Sequence, residues 1–576
     1  MKTKIILLPI LVLALSSCTF IPIDSTSGES QNSQTGGITS EDSMEPTSGD
    51  ITTSIPTSET ETSTSTGPVN PNLVMYNGFT YPLDAQTQAT PSYVEFWHPD
   101  TEVIITISAD SSILNLMDQH GLEGQIYQDL YWPVDVVIAV NGVEHSLEEV
   151  GMRRKGNTSR GYSFMDNGTV SDAFSFKLSF NETWDDPIYQ QFGLQKSWLK
   201  TDPDYIARDD RQFLADSNGK NGLDKLDIKM YKTNDQSMIN QAFAFSLFQK
   251  GGLIAPNSTL GKINFYSGTN YADFGVVAIN ETIDKDLLKR YFSKANAAGD
   301  LYKVGWGPDG NNNWNKGNLQ YEEYLNHNAI IGEEDKMNAY TPRYDAKEFD
   351  KYADVNKTIL NSHDVAHANL INLMRVLRDY EGQTPTQYQA ALEAVVDVDS
   401  FLNFAALSYL TGNQDDMRNN GNNYYIYFNP GQNNKAYFIP YDYDWALGLG
   451  FDEYGGLTMA ALSPFHSKLQ GNGRNWQDNR LFLYTIIDSM SGFNIQTNNN
   501  WQASYLDKLQ GYIDGDYYTI NTFNDLYNRY RLTYENSTNI LSFHTEEVYN
   551  NFGGTDIFAQ YVNQVGQSII AESTND

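Results

Sequence analysis

Oxygen-bearing side chains gather at the ends of a predicted β-hairpin in the second half of the chain. Tyr424–Phe428 and Ala436–Pro440 have the pattern of two strands, and the residues 429–432 between them, NPGQ, have the composition of a turn. A hairpin returns its end to the level of its start, so residues just before 424 and just after 440 must lie side by side. The residues brought together in this way are Asp415 or Asp416, Asn423, and Asp442 or Asp444.

Such a cluster of oxygens suits a divalent cation. Carboxylates gathered without matching cations repel one another, and Mg²⁺, Mn²⁺ or Ca²⁺, which prefer hard oxygen ligands, relieve that repulsion. Two alternatives explain the same residues without a metal. The acidic end of the hairpin could face solvent, or a pair of aspartates could be buried or paired with basic residues.

A second group of residues is basic and lies in the first half of the chain. Residues 153–161, RRKGNTSRG, carry four basic side chains within eight positions. Glycine lets the backbone approach a ligand closely, and guanidinium groups donate paired hydrogen bonds to phosphate oxygens. The alternative is a solvated basic turn neutralised by Glu148 and Glu149. A phosphate-binding loop together with a metal-binding acidic cluster favours phosphoryl transfer, which depends on positioning and charge neutralisation.

The elements that position these residues change in type along the chain. Asp399–Leu410 is a predicted helix, capped at Asp399 or Ser400 and ended by Gly412, and residues 366–412 and 461–576 are mainly helical. The first half is richer in strands, with a hairpin turn at Asn141-Gly142 and a helix over Gln236–Lys250. The strands are predicted at Glu102–Ser108, Val134–Val140, Phe174–Phe180, Lys262–Tyr266 and Phe274–Ile279. This order predicts an α+β protein with a β-rich N-terminal lobe and a mostly helical C-terminal lobe.

Composition excludes several classes of function. The chain has 576 residues, with 38 Lys and Arg against 72 Asp and Glu, and its formal net charge is −34. So negative a chain repels nucleic-acid backbones and anionic lipids, and its length predicts roughly two to four domains or lobes. Its 40% hydrophobic residues exclude global disorder, and its single cysteine excludes an internal disulfide and a cysteine-based zinc site.

That single cysteine closes a predicted export signal. Lys2 and Lys4 precede the apolar run Ile5–Leu15, which is too short to span a bilayer. The following Leu15-Ser16-Ser17-Cys18 resembles a bacterial lipobox, which implies cleavage after residue 17 and a diacylglycerol on the Cys18 sulfur. A plain secretory signal is the alternative. Residues 18–70 are rich in Ser and Thr and predict a disordered tether to an extracellular, lipid-anchored protein.

Seven ordered segments over residues 90–460 resemble the CotH family of spore-coat-type atypical protein kinases. The segments are Arg154–Arg160, Phe174–Glu182, Gly222–Lys229 with Asn234–Ile239, Phe274–Asp284, Asp397–Leu402, Gly412–Asp415 and Ile439–Gly448. The resemblance implies a two-lobed, kinase-like fold with its catalytic core at 151–460. A β-rich region at 71–150 would precede this core, and a helical part at 461–576 would follow it.

The resemblance also implies an activity and the residues that carry it. The activity is transfer of the ATP γ-phosphate to Ser or Thr of a protein at the cell surface, with Mg²⁺ or Mn²⁺. Asp415 would orient or deprotonate the acceptor hydroxyl, and Glu281 would lie near the nucleoside. Metal ligands would be Asn423, Asp442 and Asp444. Phosphate contacts would come from Gly156, Asn157, Ser159, Arg160 and Lys177. The membrane would be a partner only through the lipid on Cys18, and nucleic acid would not be one.

Departures from the family pattern leave alternatives for these roles. Lys155 stands where the family has Arg, and Ala173-Phe174 replaces a pair of lysines before the strand that carries Lys177. The loop that follows Asp415 is long. Asp416 is therefore an alternative catalytic residue, and Asn419, Asn420 and Asn422 are alternative metal ligands. At the level of the whole protein, the alternatives are an inactive kinase-fold scaffold and a glycan-binding protein or glycosidase, the latter because acidic pairs and aromatic residues are abundant.

Overall fold

The computed structural model describes residues 89–121, 127, 129–155, 165–166, 169–170, 175–229, 237–305, 307–308, 314–315, 317, 319, 340–344, 368–379, 383–449, 460–465, 479–482, 485–486, 501–515, 518–535 and 554–573. Val69–Asp576 cluster as one compact unit. The predicted signal, Cys18, the tether and the loop residues Gly156, Asn157, Ser159 and Arg160 lie outside the described residues, so the roles assigned to them stay predictions.

Strands and helices alternate in the first half of the described chain, and helices predominate in the second. The strands are β1 Val103–Ser108, β2 Trp132–Val140, β3 Val143–Lys155, β4 Met165–Asp166, β5 Thr169–Val170, β6 Ser175–Ser179, β7 Lys225–Lys229, β8 Ser258–Ser267, β9 Asn270–Glu281, β10 Leu301–Val304, β11 Gly307–Pro308, β12 Trp314–Asn315, β13 Tyr340–Tyr344, β14 Tyr424–Asn429 and β15 Lys435–Pro440. The helices are α1 Pro91–Phe96, α2 Ser111–His120, α3 Pro203–Asp209, α4 Asn240–Lys250, α5 Lys285–Tyr291, α6 Ala368–Arg378, α7 Pro385–Val395, α8 Val398–Thr411, α9 Met417–Asn420, α10 Arg480–Phe482, α11 Trp501–Asp514, α12 Ile520–Glu535 and α13 Gly554–Ser573.

Seven strands close into a barrel in the order β1-β2-β3-β6-β7-β9-β8. Neighbours are antiparallel except β1 and β8, which pair in parallel and close the barrel. Alternate residues of β1, such as Val103 and Ile105, are fully buried, as expected when one face of a strand packs into the core. The β2–β3 hairpin turns at Asn141 and Gly142, both with positive φ, as the sequence predicts.

The second half is built around α8 and a four-stranded sheet of order β13-β10-β14-β15. Helix α8 is buried on nearly all sides, and the same apolar core includes residues of α4, α6, α11, α12 and α13. The helices after residue 501 thus pack into the core that contains α8. None of the helices in the described part of the chain is long and apolar enough to cross a membrane.

The mixed α+β class and most elements are confirmed, with local corrections. Helix α8 begins earlier than predicted, because Asp397, rather than Asp399 or Ser400, caps it by accepting a hydrogen bond from the Ser400 amide. Gly412 ends it as predicted, with φ +56°. The predicted boundary between residues 150 and 151 falls inside β3, so the barrel includes residues from both sides of it. The two-lobed, kinase-like arrangement stays a prediction.

Candidate active site

A polar loop, Asn413–Asn423, connects α8 to β14 and carries the predicted catalytic residue Asp415 and the predicted metal ligand Asn423. It begins at Gly412, whose left-handed backbone turns the chain out of the helix. A Cβ built on Gly412 would overlap the hydroxyl and ring of Tyr561 from α13, and the positive φ of Gly412 also disfavours a side chain. Glycine therefore suits the end of α8, where α13 approaches closely.

Asp416 has a structural position in this loop. It is fully buried and caps α9, accepting hydrogen bonds from the backbone N of Asn419 at 2.9 Å and from its Nδ2 at 3.0 Å. The Tyr443 hydroxyl lies 3.5 Å from its other carboxylate oxygen. Burial raises the pKa of Asp416 to about 7, so its carboxyl is held partly protonated near neutral pH. The side chains of Asp416 and Asn419 are therefore hydrogen-bonded to each other within the loop.

Asp415 is the more accessible of the two acids. Asn422 Nδ2 donates to its Oδ1 at 3.0 Å, and Asn423 Nδ2 donates to its Oδ2 at 3.0 Å. Asn423 also donates to the Asp415 carbonyl oxygen at 2.8 Å. Two side-chain amides thus orient the carboxylate while leaving the residue only half-buried. This geometry favours Asp415 over Asp416 as the acid that acts on a substrate.

The hairpin joins this loop to the segment after β15. Tyr424 pairs with Pro440, and the Tyr441 amide donates to the Asn423 carbonyl oxygen at 3.2 Å. Asn413 Nδ2 donates to the Asp442 carbonyl oxygen at 3.1 Å. Asn423 and Asp442 both have positive φ, at 51° and 62°, which Asn and Asp tolerate better than most residues. The juxtaposition expected from the hairpin is therefore present.

A lysine from the barrel, Lys229 at the end of β7, reaches this acidic end. Its Nζ contacts the Asp442 carboxylate, lies 3.0 Å from Asp444 Oδ2 and lies 3.4 Å from Gln241 Oε1 on α4. We call Asp415, Asn423, Asp442, Asp444 and Lys229 the acidic site. Among the described residues, no three His, Cys, Asp or Glu side chains are arranged to hold a metal ion. Asp442 and Asp444 instead share the ammonium group of Lys229. This is the alternative, left open by the sequence, in which the aspartates pair with a basic residue.

A second charged group lies on the neighbouring strands of the barrel. Asp227 of β7 contacts Lys155 Nζ of β3 at 2.6 Å and Lys177 Nζ of β6 at 3.2 Å. We call these three residues the lysine cluster. The ammonium of Lys155 also lies 5.4 Å from the ring centroid of Tyr441, which directly precedes Asp442. The lysine cluster thus adjoins the acidic site through Tyr441.

The charges of the lysine cluster respond differently to burial. Burial lowers the pKa of Lys177 to about 7, although Asp227 opposes this shift. Burial also disfavours the charge of Lys155, but Asp227 and Tyr441 outweigh it and hold the pKa of Lys155 above its usual range. Burial would raise the pKa of Asp227, yet Lys155 and Lys177 hold it well below its usual range. Asp227 is therefore ionised at neutral pH, and Lys177 is the cluster's titratable base.

Glu281, predicted near the nucleoside, occupies a buried polar network at the end of β9. Its carboxylate accepts from the Tyr93 hydroxyl at 2.7 Å and from Asn257 Nδ2 at 2.9 Å, and it pairs with Arg290 at 2.9 Å. The guanidinium carbon of Arg290 lies 4.0 Å from the Tyr93 ring centroid. These contacts join α1, β9 and α5, so Glu281 holds barrel and helices together, and its contact with a nucleoside stays a prediction.

Two residues of the site, Asp227 and Lys229, have no predicted role in the sequence, and Lys155 is predicted only as a member of the basic group at 153–161. A signal for them is present, because Lys225, Asp227 and Lys229 alternate along β7 and so share one face of the strand. That face borders Arg153, Lys155 and Lys177, since Arg153 pairs with Lys177 and Lys177 pairs with Asp227 in register.

The fold and the site together define an α+β protein in which a carboxylate and amide loop meets a lysine-bearing barrel face. The chain matches the CotH kinase protein family over residues 222–546, which is more than half of its length. It therefore belongs to the CotH kinase family. The match includes the acidic site and Glu281, whereas Lys155, Lys177 and the basic loop precede it. Comparison with curated proteins gives no match.

Proposed function

We propose that this protein is an ATP-dependent kinase that transfers the γ-phosphoryl group to a Ser or Thr hydroxyl of a protein. The proposal rests on the contacts of Lys229 with Asp442 and Asp444. These contacts lie beside Asp415, whose carboxylate is oriented by the side-chain amide of Asn423. Protein kinases contain the following features in this order along the chain: a lysine at a strand end, a helix, two strands, a loop aspartate and an aspartate after a hairpin. Here they are Lys229, α4, β8 and β9, Asp415 and Asp442.

Asp415 is placed to act on the acceptor hydroxyl. Its carboxylate, oriented by Asn422 and Asn423, would accept the hydroxyl proton as the acceptor oxygen bonds to the γ-phosphorus. The bond from that phosphorus to the bridging oxygen then breaks, and ADP leaves with the electron pair. Asp416 would only shape the loop, because its oxygens are already engaged there.

The donor atoms at the hairpin fit a hard divalent cation. Asp442 and Asp444 converge on one ammonium, so their oxygens are close enough to share a cation, and the Asn423 amide oxygen is a ligand of the same kind. Mg²⁺ or Mn²⁺ bound there would neutralise phosphate charge as it develops during transfer. Lys177, Lys155 and the loop residues Gly156, Asn157, Ser159 and Arg160 would then contact the phosphates.

Transfer from labelled ATP tests the proposal. We expect the purified full chain with Mn²⁺ to label itself or an acceptor protein, with the modified Ser or Thr identified by mass spectrometry. Asp442→Asn should abolish labelling and leave the unfolding temperature within a few degrees, whereas Asp399→Asn, on an exposed turn of α8, should retain it. A wild-type protein that binds nucleotide but transfers nothing would instead be an inactive member of the family.

We further propose that the kinase acts outside the cell, held to a membrane by a lipid on Cys18. The support is the sequence around Leu15-Ser16-Ser17-Cys18 and the Ser- and Thr-rich segment after it. The substrate would be a protein at the same surface. Cys18→Ser should move the protein out of the membrane fraction in cell fractionation, and retention of that variant on membranes would contradict lipid anchoring.

A further inference from the structure

Lys229 occupies the position that a metal ion would need. Its ammonium contacts Asp442 and lies 3.0 Å from Asp444, the two carboxylates assigned to the metal under the proposed function. The side chain of Lys229 is 12% exposed, so solvent and salt screen its charge only weakly. A lysine and a divalent cation on the same two carboxylates would repel each other strongly. The two cations therefore compete for one site.

The surroundings of Lys229 allow it to leave. The atom that α4 places near its ammonium is the neutral Gln241 Oε1, at 3.4 Å, where protein kinases place a glutamate that pairs with the lysine. No negative charge at Gln241 draws Lys229 toward α4, so Asp442 and Asp444 attract it while phosphates are absent. Its flexible four-carbon stem can move the ammonium by several ångströms without moving β7.

The neighbouring lysines are bound differently. Lys155 and Lys177 have their own buried carboxylate in Asp227, at 2.6 and 3.2 Å. Both lysines therefore have Asp227 as a close counter-charge. Lys229, by contrast, contacts Asp442 and Asp444, so its position depends on what else occupies the acidic site.

We propose that Lys229 is the internal counter-ion of Asp442 and Asp444 in the nucleotide-free protein, and that nucleotide phosphates draw it away. This inference rests on the proposed kinase function. Metal then binds weakly to the protein alone and tightly together with nucleotide. Because binding linkage is reciprocal, the metal increases nucleotide affinity by the same factor as the nucleotide increases metal affinity.

Titration of Mn²⁺ into the full chain without nucleotide tests this, with free Mn²⁺ measured by electron paramagnetic resonance. Lys229→Met and Lys229→Gln should each bind Mn²⁺ at least about tenfold more tightly than wild type, because the competing charge is gone. Lys229→Arg keeps the charge and should bind as weakly as wild type. Lys289→Met, which removes a lysine paired with Asp286 away from the site, should change nothing. Circular dichroism verifies that each variant is folded.

The results separate this inference from the function on which it rests. If folded Lys229→Met and Lys229→Gln bind Mn²⁺ no more tightly than wild type, while wild type binds Mn²⁺ together with a non-hydrolysable ATP analogue, only the counter-ion role is overturned. If wild type binds neither Mn²⁺ nor the analogue when both are present, the proposed kinase function is overturned, and the counter-ion role with it.

Discussion

The lysine cluster and the acidic site have opposite charge compositions. In the lysine cluster, the carboxylate of Asp227 contacts two ammonium groups, those of Lys155 and Lys177. In the acidic site, the ammonium of Lys229 contacts two carboxylates, those of Asp442 and Asp444. The first group has an excess of positive charge and favours an anion, whereas the second has an excess of negative charge and favours a cation. Adjacent sites of this kind suit a phosphate chain and its metal.

The two groups also differ in burial. Asp227 is 3% exposed and lies in the middle of a barrel strand, whereas the Asp442 side chain is 30% exposed and lies at the open end of a hairpin. A buried carboxylate that loses its partners is costly, so Asp227 holds its lysines firmly. The more exposed Asp442 can exchange one cation for another. Burial therefore separates a fixed charge group from an exchangeable one.

The largest expected effect concerns the two adjacent acids of the polar loop. Asp415→Asn should lower the rate of phosphate transfer by about a hundredfold or more, because the proton acceptor is lost. Asp416→Asn should retain most of the rate, since asparagine also caps a helix. Transfer rates of both purified variants test this, and a larger loss for Asp416→Asn would reverse the assignment.

The same Asp416 variant has a signature in stability. The pKa of Asp416 is raised to about 7, so its contribution to stability is full below the ordinary carboxyl pKa and is lost as pH rises through about 7. Asp416→Asn should remove this pH dependence from the free energy of unfolding, measured by urea denaturation. Unchanged pH dependence would mean that Asp416 is not buried as a neutral acid.

The next effect concerns the carboxylate of the lysine cluster. Asp227→Asn leaves Lys155 and Lys177 buried without their counter-charge, and should lower the free energy of unfolding by about 3–5 kcal/mol. Asp129→Asn removes a more exposed partner of Arg153 on the same barrel face and should cost about 1 kcal/mol or less. Urea denaturation of both variants gives the comparison. Equal losses would show that burial does not distinguish Asp227.

The smallest effect tests whether the lysine cluster binds phosphates. The pKa of Lys177 is lowered to about 7, so much of this amine is neutral at about pH 8, and nearby phosphates would raise its pKa again. Nucleotide binding at about pH 8 should therefore take up a fraction of a proton, measured by calorimetry in buffers of different ionisation enthalpy. Lys177→Met should abolish that uptake. Equal uptake by both proteins would place the phosphates away from Lys177.

Local sequence patterns predict much of the fold and the residues of the acidic site other than Lys229. The run from Asp399 to Pro440 predicts a helix, a polar loop and a hairpin, and all three are present because each depends on residues close in the chain. The same hairpin places Asn423 beside Tyr441. The exact helix cap was not predicted, because Asp397 and Asp399 have the same capping chemistry and only the backbone geometry distinguishes them.

The sequence by itself determined that Asp415, Asn423, Asp442 and Asp444 lie close together, because a β-hairpin brings the residues before its first strand next to those after its second. Only the tertiary structure decided that Lys229, 213 residues before Asp442, is the cation found there. It also decided that Asp227 joins Lys155 to Lys177, because barrel closure sets which strands are neighbours. Long-range pairing depends on the packing of the whole core, which local patterns of charge and hydrophobicity do not encode.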